Sequence, residues 1–265
     1  METVTHHGRE IAYRLSDRGG DGSTILCVHG SGGHHGVWKG QFRLSDERPV
    51  AALDLSGHGE SEDFDADPED FESEPGWATL SAYADDVLAV ADETDADVLV
   101  GNSLGGAVIL HIALEREFAP SALVLVGTGA KLGVLDDLLR WLDEEFERVV
   151  EFLHGPDRFF HDPPEKLVTR SEQTMREAGQ DVTRRDFLTC HRFDVREDIG
   201  ELTTPALALT GEHDQLTPPW NHEYLADEMP NCEYTTIEDA AHLSMLERPA
   251  AFNEAVREFL AELEI

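Results

Sequence analysis

Short, continuous apolar runs alternate with longer amphipathic stretches along most of this chain, and that alternation restricts the possible fold more than any other feature. Apolar runs without polar alternation are typical of parallel strands that are covered on both faces. Such runs predict strands at 24–29, 49–54, 96–101, 122–127, 205–211 and 232–238. Stretches with a period of about 3.6 residues predict helices at 80–93, 104–117, 220–229 and 249–263. Together they predict an α/β protein with a doubly wound, mostly parallel sheet.

Two segments depart from this alternation. At the start, β-type runs at 2–7 and 10–15 are separated by Gly8 and predict a hairpin. Between the strands ending near 127 and starting near 205, the chain is mostly helical and charged, including 135–153 and 165–178.

We therefore expect a core domain formed by 1–129 and 201–265, with 130–200 inserted as a helical cap, or lid. The acidic, proline-containing segment 62–76 is predicted to be a solvated surface loop.

The charge of the chain is strongly unbalanced. Asp and Glu total 55 against 20 Lys and Arg, which gives a formal net charge of −35. This field repels phosphate backbones and anionic lipid, so nucleic acids and acidic membranes are poor partners. The composition resembles that of acidic proteins from extreme halophiles, whose surface repulsion is screened by salt. A halophilic source is the corresponding hypothesis.

Targeting and cysteine patterns indicate a soluble cytoplasmic protein. The first twenty residues contain no apolar block of signal-peptide length, and no run is long enough to span a membrane. Cys27, Cys190 and Cys232 are widely spaced and odd in number, which favours neither a disulfide framework nor a zinc site. We expect no metal and no cofactor.

A G-x-S-x-G motif follows the strand at 96–101 and precedes the helix at 104–117. In this context the motif is typical of a nucleophile elbow, in which the serine occupies a strained turn between strand and helix. Gly101 and Gly105 allow the two elements to approach closely, and the amides after Ser103 lie at a helix N-terminus that favours negative charge. Ser103 is therefore the predicted nucleophile.

A serine hydroxyl needs an adjacent base that is oriented by a third group. His242 follows the strand at 232–238, and Asp214 follows the strand at 205–211. Both are expected at the same carboxyl edge of the sheet as Ser103. His242 is the predicted base and Asp214 the predicted acid, with nearby Glu212 as an alternative acid.

The sequence also predicts donors for a developing oxyanion. A His-Gly-Ser-Gly-Gly segment, residues 29–33, follows the strand at 24–29. We expect the backbone N–H of Ser31 to be one donor and that of Leu104 to be the other.

These motifs resemble the α/β-hydrolase family over nearly the whole chain. Further similarity lies in the glycine-rich turn 54–61, the acid loop 211–218 and the histidine segment 242–249. One departure is mild, since Ala241 stands where glycine is commoner before the histidine. Because the nucleophile is serine, the resemblance is not to the dehalogenases or epoxide hydrolases of this fold, which use an aspartate.

The resemblance implies an α/β-hydrolase fold with a cap. It also implies that the protein is a hydrolase, which cleaves a carboxylic ester of a small-molecule acyl substrate through an acyl-serine. Thioesterases, lactonases, carbon–carbon bond hydrolases and perhydrolases use the same machinery, and a ligand sensor that keeps the pocket is an alternative of another class. The residues of the cap are expected to determine which of these substrates the protein accepts.

Several other polar and aromatic residues have structural interpretations. His34 and His35 are interpreted as a plain loop, Asp54 and His58 as structural parts of their turn, and Asp194 as a tie between cap and core. Some aromatic side chains either line an acyl pocket or simply pack: Trp38, Trp141, Phe152, Phe159 and Phe160.

Overall fold

An eight-stranded sheet lies at the centre of the molecule. The structure is a computed structural model that describes residues 1–64 and 77–265. The strands are β1 (Glu2–His6), β2 (Arg9–Ser16), β3 (Thr24–Val28), β4 (Val50–Leu53), β5 (Ala96–Asn102), β6 (Ala122–Val126), β7 (Ala206–Gly211) and β8 (Cys232–Ile237). Their spatial order is β1-β2-β4-β3-β5-β6-β7-β8. Pairs β1–β2 and β2–β4 are antiparallel and the remaining pairs are parallel, which confirms the predicted sheet.

Helices connect the parallel strands. In the described ranges they are α1 (Trp77–Thr94), α2 (Leu104–Glu115), α3 (Asp136–Glu144), α4 (Phe146–Leu153), α5 (Glu165–Ala178), α6 (Gln180–Arg192), α7 (Pro219–Glu228), α8 (Ser244–Glu247) and α9 (Pro249–Glu262). Short 3₁₀ turns occupy His35–Trp38, Gln41–Asp46 and Ile199–Glu201.

Both faces of the sheet are covered, as the apolar runs predict. In β3, Leu26 and Val28 pack in one core with α1 and α2, whereas Ile25 and Cys27 pack in a second core with α9. Successive strand residues point to opposite faces, so a strand with no polar position supplies both cores.

The helical insertion (α3 to α6) lies between β6 and β7, and no strand of the main sheet interrupts it in the described chain. The stretch 135–153, predicted to be mostly helical, forms two helices, because Glu145 adopts φ −144° and ψ 57° and separates α3 from α4. The helix at 165–178 has the predicted bounds.

Three further observations concern the acidic segment, the cysteines and the length of the helices. Of the acidic segment 62–76, predicted to be a surface loop, residues 65–76 lie outside the described residues. Cys27, Cys190 and Cys232 are all free thiols. No helix in the described ranges is both long and apolar enough to cross a membrane.

Candidate active site

Ser103 occupies the junction between β5 and α2. Its backbone adopts φ 55° and ψ −115°, a region that is strained for a residue with a side chain. A Cβ at Gly101 would overlap the backbone of Gly105, and one at Gly105 would overlap the carbonyl of Val28. The turn therefore requires glycine at both positions, as the motif predicts.

The elbow is held by hydrogen bonds to β6 and the residues after it. The Ser103 N–H donates to the carbonyl of Val126 at 2.9 Å, and the Thr128 hydroxyl donates to the carbonyl of Ser103, also at 2.9 Å. Both contacts involve the main chain of Ser103, so they fix the turn and leave the side chain free to react.

Asp214 and His242 are brought together from loops that follow β7 and β8. Nδ1 of His242 lies 2.9 Å from Oδ2 of Asp214, and both side chains are buried. The amides of Leu216 and Thr217 donate to Oδ1 of Asp214 at 2.8 and 3.0 Å. The Thr217 hydroxyl donates to Oδ2 at 2.7 Å and lies 3.2 Å from Nδ1 of His242. This network fixes the orientation of the imidazole.

The carboxylate of Asp214 is held in its charged form. Burial alone would raise its pKa, but the charge and hydrogen bond of His242, together with the Thr217 donors, lower it below its usual value. Glu212, the alternative acid, is exposed, and its carboxylate lies 3.6 Å from the ring of His213. In the described chain Asp214 is the carboxylate that contacts His242.

Ser103 and His242 border the same cavity. Within residues 1–64 and 77–265, no direct hydrogen bond joins the Ser103 hydroxyl to the imidazole of His242. Such contacts are often long before a substrate binds and tighten only in the complex. The three side chains predicted from the sequence thus converge at one edge of the sheet, and their catalytic roles stay a prediction.

Ser31 also lines this cavity and Leu104 directly follows Ser103, and their backbone amides are the predicted oxyanion donors. In the glycine-rich loop after β3, the amide of Gly32 donates to Asp186 and that of Gly33 donates to Gly30. Among the described residues, the amides of Ser31 and Leu104 donate to no protein acceptor. They are therefore free to bind an oxygen of a ligand.

The cavity above Ser103 has a volume of about 510 Å³, within the range of small-molecule sites. Both the core and the helical insertion line it, with apolar residues such as Leu132, Leu138, Leu167 and Leu243. Of the aromatic candidates, Phe152 and Phe159 line the cavity. The others pack elsewhere: Trp38 against Phe252, Trp141 against Phe152, and Phe160 against Phe159.

Some clusters of histidine and acidic side chains could bind a metal ion. In the described chain these are His34–His35–Asp54, Asp157–His161–His213 and Glu212–His213–Asp239. The donors of the first two already contact each other, since His35 lies 2.9 Å from Asp54 and His161 lies 2.6 Å from Asp157.

Asp194 contacts the residues that follow β6. Its carboxylate lies 3.0 Å from the ammonium of Lys131, and the two residues also form a backbone bridge. Both residues belong to the segment 130–200, so the contact joins the two ends of that segment, and a tie from Asp194 to the core stays a prediction.

The sequence reasoning missed Asp186 and Thr217. Asp186 lies on α6, is completely buried, and contacts the glycine-rich loop as well as His58. Asp186 belongs to no recognised motif, and Thr217 lies in the acid loop 211–218, where it was not singled out. The only available signal was their position, an acid within an amphipathic stretch and a hydroxyl three residues after Asp214.

A family model described as "Alpha/beta hydrolase family" matches residues 25–255. The chain belongs to this family.

Individual relatives within the alpha/beta hydrolase family are esterases. The pimeloyl-[acyl-carrier protein] methyl ester esterase of Pectobacterium atrosepticum is 31% identical, over 91% of this chain and 95% of that protein. A solved thermophilic esterase is 30% identical, with a TM-score of 0.82, and covers 99% of this chain and 97% of its own. A thermophilic esterase from Thermogutta terrifontis, solved with malate bound, is 25% identical, with a TM-score of 0.82 over 100% of this chain and 99% of that one. This chain is accordingly an enzyme, a hydrolase that is similar to carboxylesterases.

Proposed function

We propose that this protein hydrolyses a carboxylic ester of a small molecule through an acyl-enzyme intermediate on Ser103. The observation that carries the proposal is the buried contact of 2.9 Å between Asp214 and His242, beside a cavity that is lined by both His242 and the strained Ser103. That combination supplies a nucleophile, a base and an orienting carboxylate.

The first half of the reaction forms the acyl-enzyme. Oγ of Ser103 attacks the ester carbonyl while its proton passes to Nε2 of His242, because Nδ1 faces Asp214. The carbonyl oxygen becomes an oxyanion that accepts hydrogen bonds from the free amides of Ser31 and Leu104. A single donor of this type typically contributes about 3–4 kcal/mol to the transition state. The intermediate collapses as His242 returns the proton to the departing alcohol.

The second half regenerates the enzyme. Water enters after the alcohol leaves, and His242 removes its proton as the oxygen attacks the acyl carbon. Collapse of this intermediate breaks the bond to Oγ, releases the carboxylic acid and restores the Ser103 hydroxyl. Asp214 remains ionised throughout and stabilises the imidazolium.

Residues 130–200 act as a cap in this proposal. Their helices supply Leu138, Phe152, Leu167 and Phe187 to the cavity wall, so they limit which acyl chains fit. The relatives support ester chemistry, since the Pectobacterium protein and the thermophilic structures are named as esterases.

Hydrolysis of short p-nitrophenyl esters tests the proposal. Ser103→Ala should lower kcat by roughly 10³-fold or more, because the covalent step is removed. A fluorophosphonate probe should label wild-type Ser103 and leave the variant unlabelled. Ser81→Ala, a half-buried position on α1 outside the cavity, is the matched control. Full turnover by Ser103→Ala would contradict the proposal, and so would binding of esters without hydrolysis by the wild type.

A further inference from the structure

The charge of the cavity lining is opposite to that of the protein as a whole. Asp and Glu make up about one residue in five of the chain, which carries a net charge of −35. Yet among the described residues that line the cavity, none is acidic and four are cationic: Lys39, Lys131, Arg158 and Arg170. Two of the three lysines in the sequence are thus placed at this one cavity.

Two of the four cations already have partners. Lys131 pairs with Asp194 at 3.0 Å. The guanidinium of Arg158 lies 3.7 Å from the ring centroid of Phe152 and donates to the carbonyl of the same residue at 2.6 Å. The charges of both side chains are therefore already compensated within the protein, without a ligand.

Lys39 and Arg170 have no such explanation. Within the described parts of the chain, neither side chain forms an ion pair or a hydrogen bond. Lys39 follows the 3₁₀ turn at the core side of the cavity, whereas Arg170 lies on α5 of the insertion. Both are exposed at the mouth and can reach a ligand from two sides.

His34, which also lines the cavity, adds no competing charge. Burial is the largest cause and lowers its pKa; the charge of Asp54 opposes this, and the charges of His35 and Arg170 lower the pKa further, so that the net shift is downward. Its Nδ1 accepts a hydrogen bond from the amide of Gly36 at 3.0 Å. The mouth therefore presents two spare positive charges above a largely apolar wall.

A neutral ester would form no ion pair with these two side chains. An anionic ester would, and the two cations would offset the repulsion that the net negative charge of the protein exerts on anions. We propose that the substrate is an ester whose acyl chain ends in a carboxylate, and that Arg170 and Lys39 bind this carboxylate at the mouth of the cavity. This inference rests on the proposed ester hydrolysis and specifies its substrate class. Two single charges suit a singly charged carboxylate, and arginine binds that group through a planar pair of N–H donors.

Matched substrates test the inference. The p-nitrophenyl monoester of a dicarboxylic acid is compared with a neutral p-nitrophenyl ester of equal chain length, and with a third whose chain ends in phosphate. We expect kcat/KM for the carboxylate ester to exceed that of the neutral ester about tenfold, mainly through KM. The advantage should shrink as KCl rises from about 0.1 to about 1 M, because screening of exposed charges increases.

Variants locate the effect. Arg170→Gln and Lys39→Gln should each lower kcat/KM for the carboxylate ester about threefold to tenfold more than for the neutral ester. Lys166→Gln, an exposed cation on the same α5 that does not line the cavity, should leave the ratio unchanged. Melting temperatures confirm that all three variants are folded.

The outcomes are separable. If neutral esters are hydrolysed but the carboxylate ester is no better, or if its advantage survives in the Arg170→Gln/Lys39→Gln double variant, the inference is wrong and the proposed hydrolysis stands. A preference for the phosphate ester overturns the assignment of the carboxylate. If no ester is hydrolysed, the proposed function itself fails.

Discussion

The carboxylate of Asp186, on α6 of the insertion, accepts a hydrogen bond from the backbone amide of Gly32 at 3.0 Å. Gly32 directly follows Ser31, whose amide is a proposed oxyanion donor. The same carboxylate contacts Nε2 of His58 at 2.9 Å and accepts a hydrogen bond from the hydroxyl of Tyr83 at 2.7 Å. A single buried side chain of the insertion thus holds the glycine-rich loop and a turn of the core together.

Replacement of Asp186 should therefore affect both stability and turnover. In Asp186→Asn, His58 and the nearby Arg185 lose a buried counter-charge, so we expect a loss of about 3 kcal/mol in the free energy of unfolding. We also expect a lower kcat in the folded protein, because the loop next to Ser31 loses a charged acceptor and keeps at most a neutral one. Urea unfolding and ester hydrolysis measure the two effects.

Asp194→Asn is the control, since this partly exposed carboxylate pairs with Lys131 and Arg196 at the surface. Exposed ion pairs typically contribute about 1 kcal/mol or less. Equal losses in the two variants would show that burial of Asp186 has no special importance.

The His58–Asp186 pair also makes stability depend on pH. Burial alone would lower the pKa of His58, but the charge and hydrogen bond of Asp186 raise it above the ordinary 6.5. The folded protein then binds this proton more tightly than the unfolded chain. Its stabilisation is fully present below pH 6.5 and is lost as pH rises through the higher folded value.

We accordingly expect His58→Gln to reduce the free energy of unfolding more near pH 6 than near pH 9. Urea unfolding of both proteins across this range measures the difference. A gap that widens towards alkaline pH would mean that His58 is neutral in the folded protein.

Substitutions at Asp214, the acid of the proposed triad, and at its partner Thr217 should lower kcat by different amounts. Asp214→Asn should lower kcat by roughly 10³–10⁴-fold, because the amide no longer stabilises the imidazolium. Thr217→Val should have a smaller effect, about tenfold, since it removes the hydroxyl that donates to Oδ2 of Asp214 and leaves the carboxylate. Steady-state kinetics with one p-nitrophenyl ester compare the variants.

Glu212→Gln is the control in this series, because its exposed carboxylate does not contact His242. If Glu212→Gln were as inactive as Asp214→Asn, the acid would be assigned to the wrong residue.

The strands, which depend on local sequence pattern, were predicted correctly from the sequence. Each apolar run became a strand with bounds that differ by one or two residues, as for the run 96–101 and β5 (Ala96–Asn102). The positions of Ser103, Asp214 and His242 followed from their place after such runs, since parallel strands end at one edge.

Contacts between distant residues were not predictable. His58 and Asp186 are 128 positions apart, and α6 carries few apolar residues, so nothing local indicates that its acid is buried. The interruption at Glu145 was not predictable either, because 135–153 is periodic on both sides of it and neither glycine nor proline marks the change.

The acidity of the chain leads to a last prediction, on salt. With 55 acidic and 20 basic side chains, most carboxylates have no basic partner, and the folded surface repels itself. At about 0.1 M salt this repulsion extends over roughly 10 Å, and at about 1 M over roughly 3 Å. We expect the melting temperature to rise as KCl increases to molar concentrations, with a smaller rise near pH 5, where some carboxylates are protonated. Differential scanning calorimetry at both pH values distinguishes screening from a general salt effect, which would be equal at the two. A melting temperature that does not rise at neutral pH would rule out adaptation to salt.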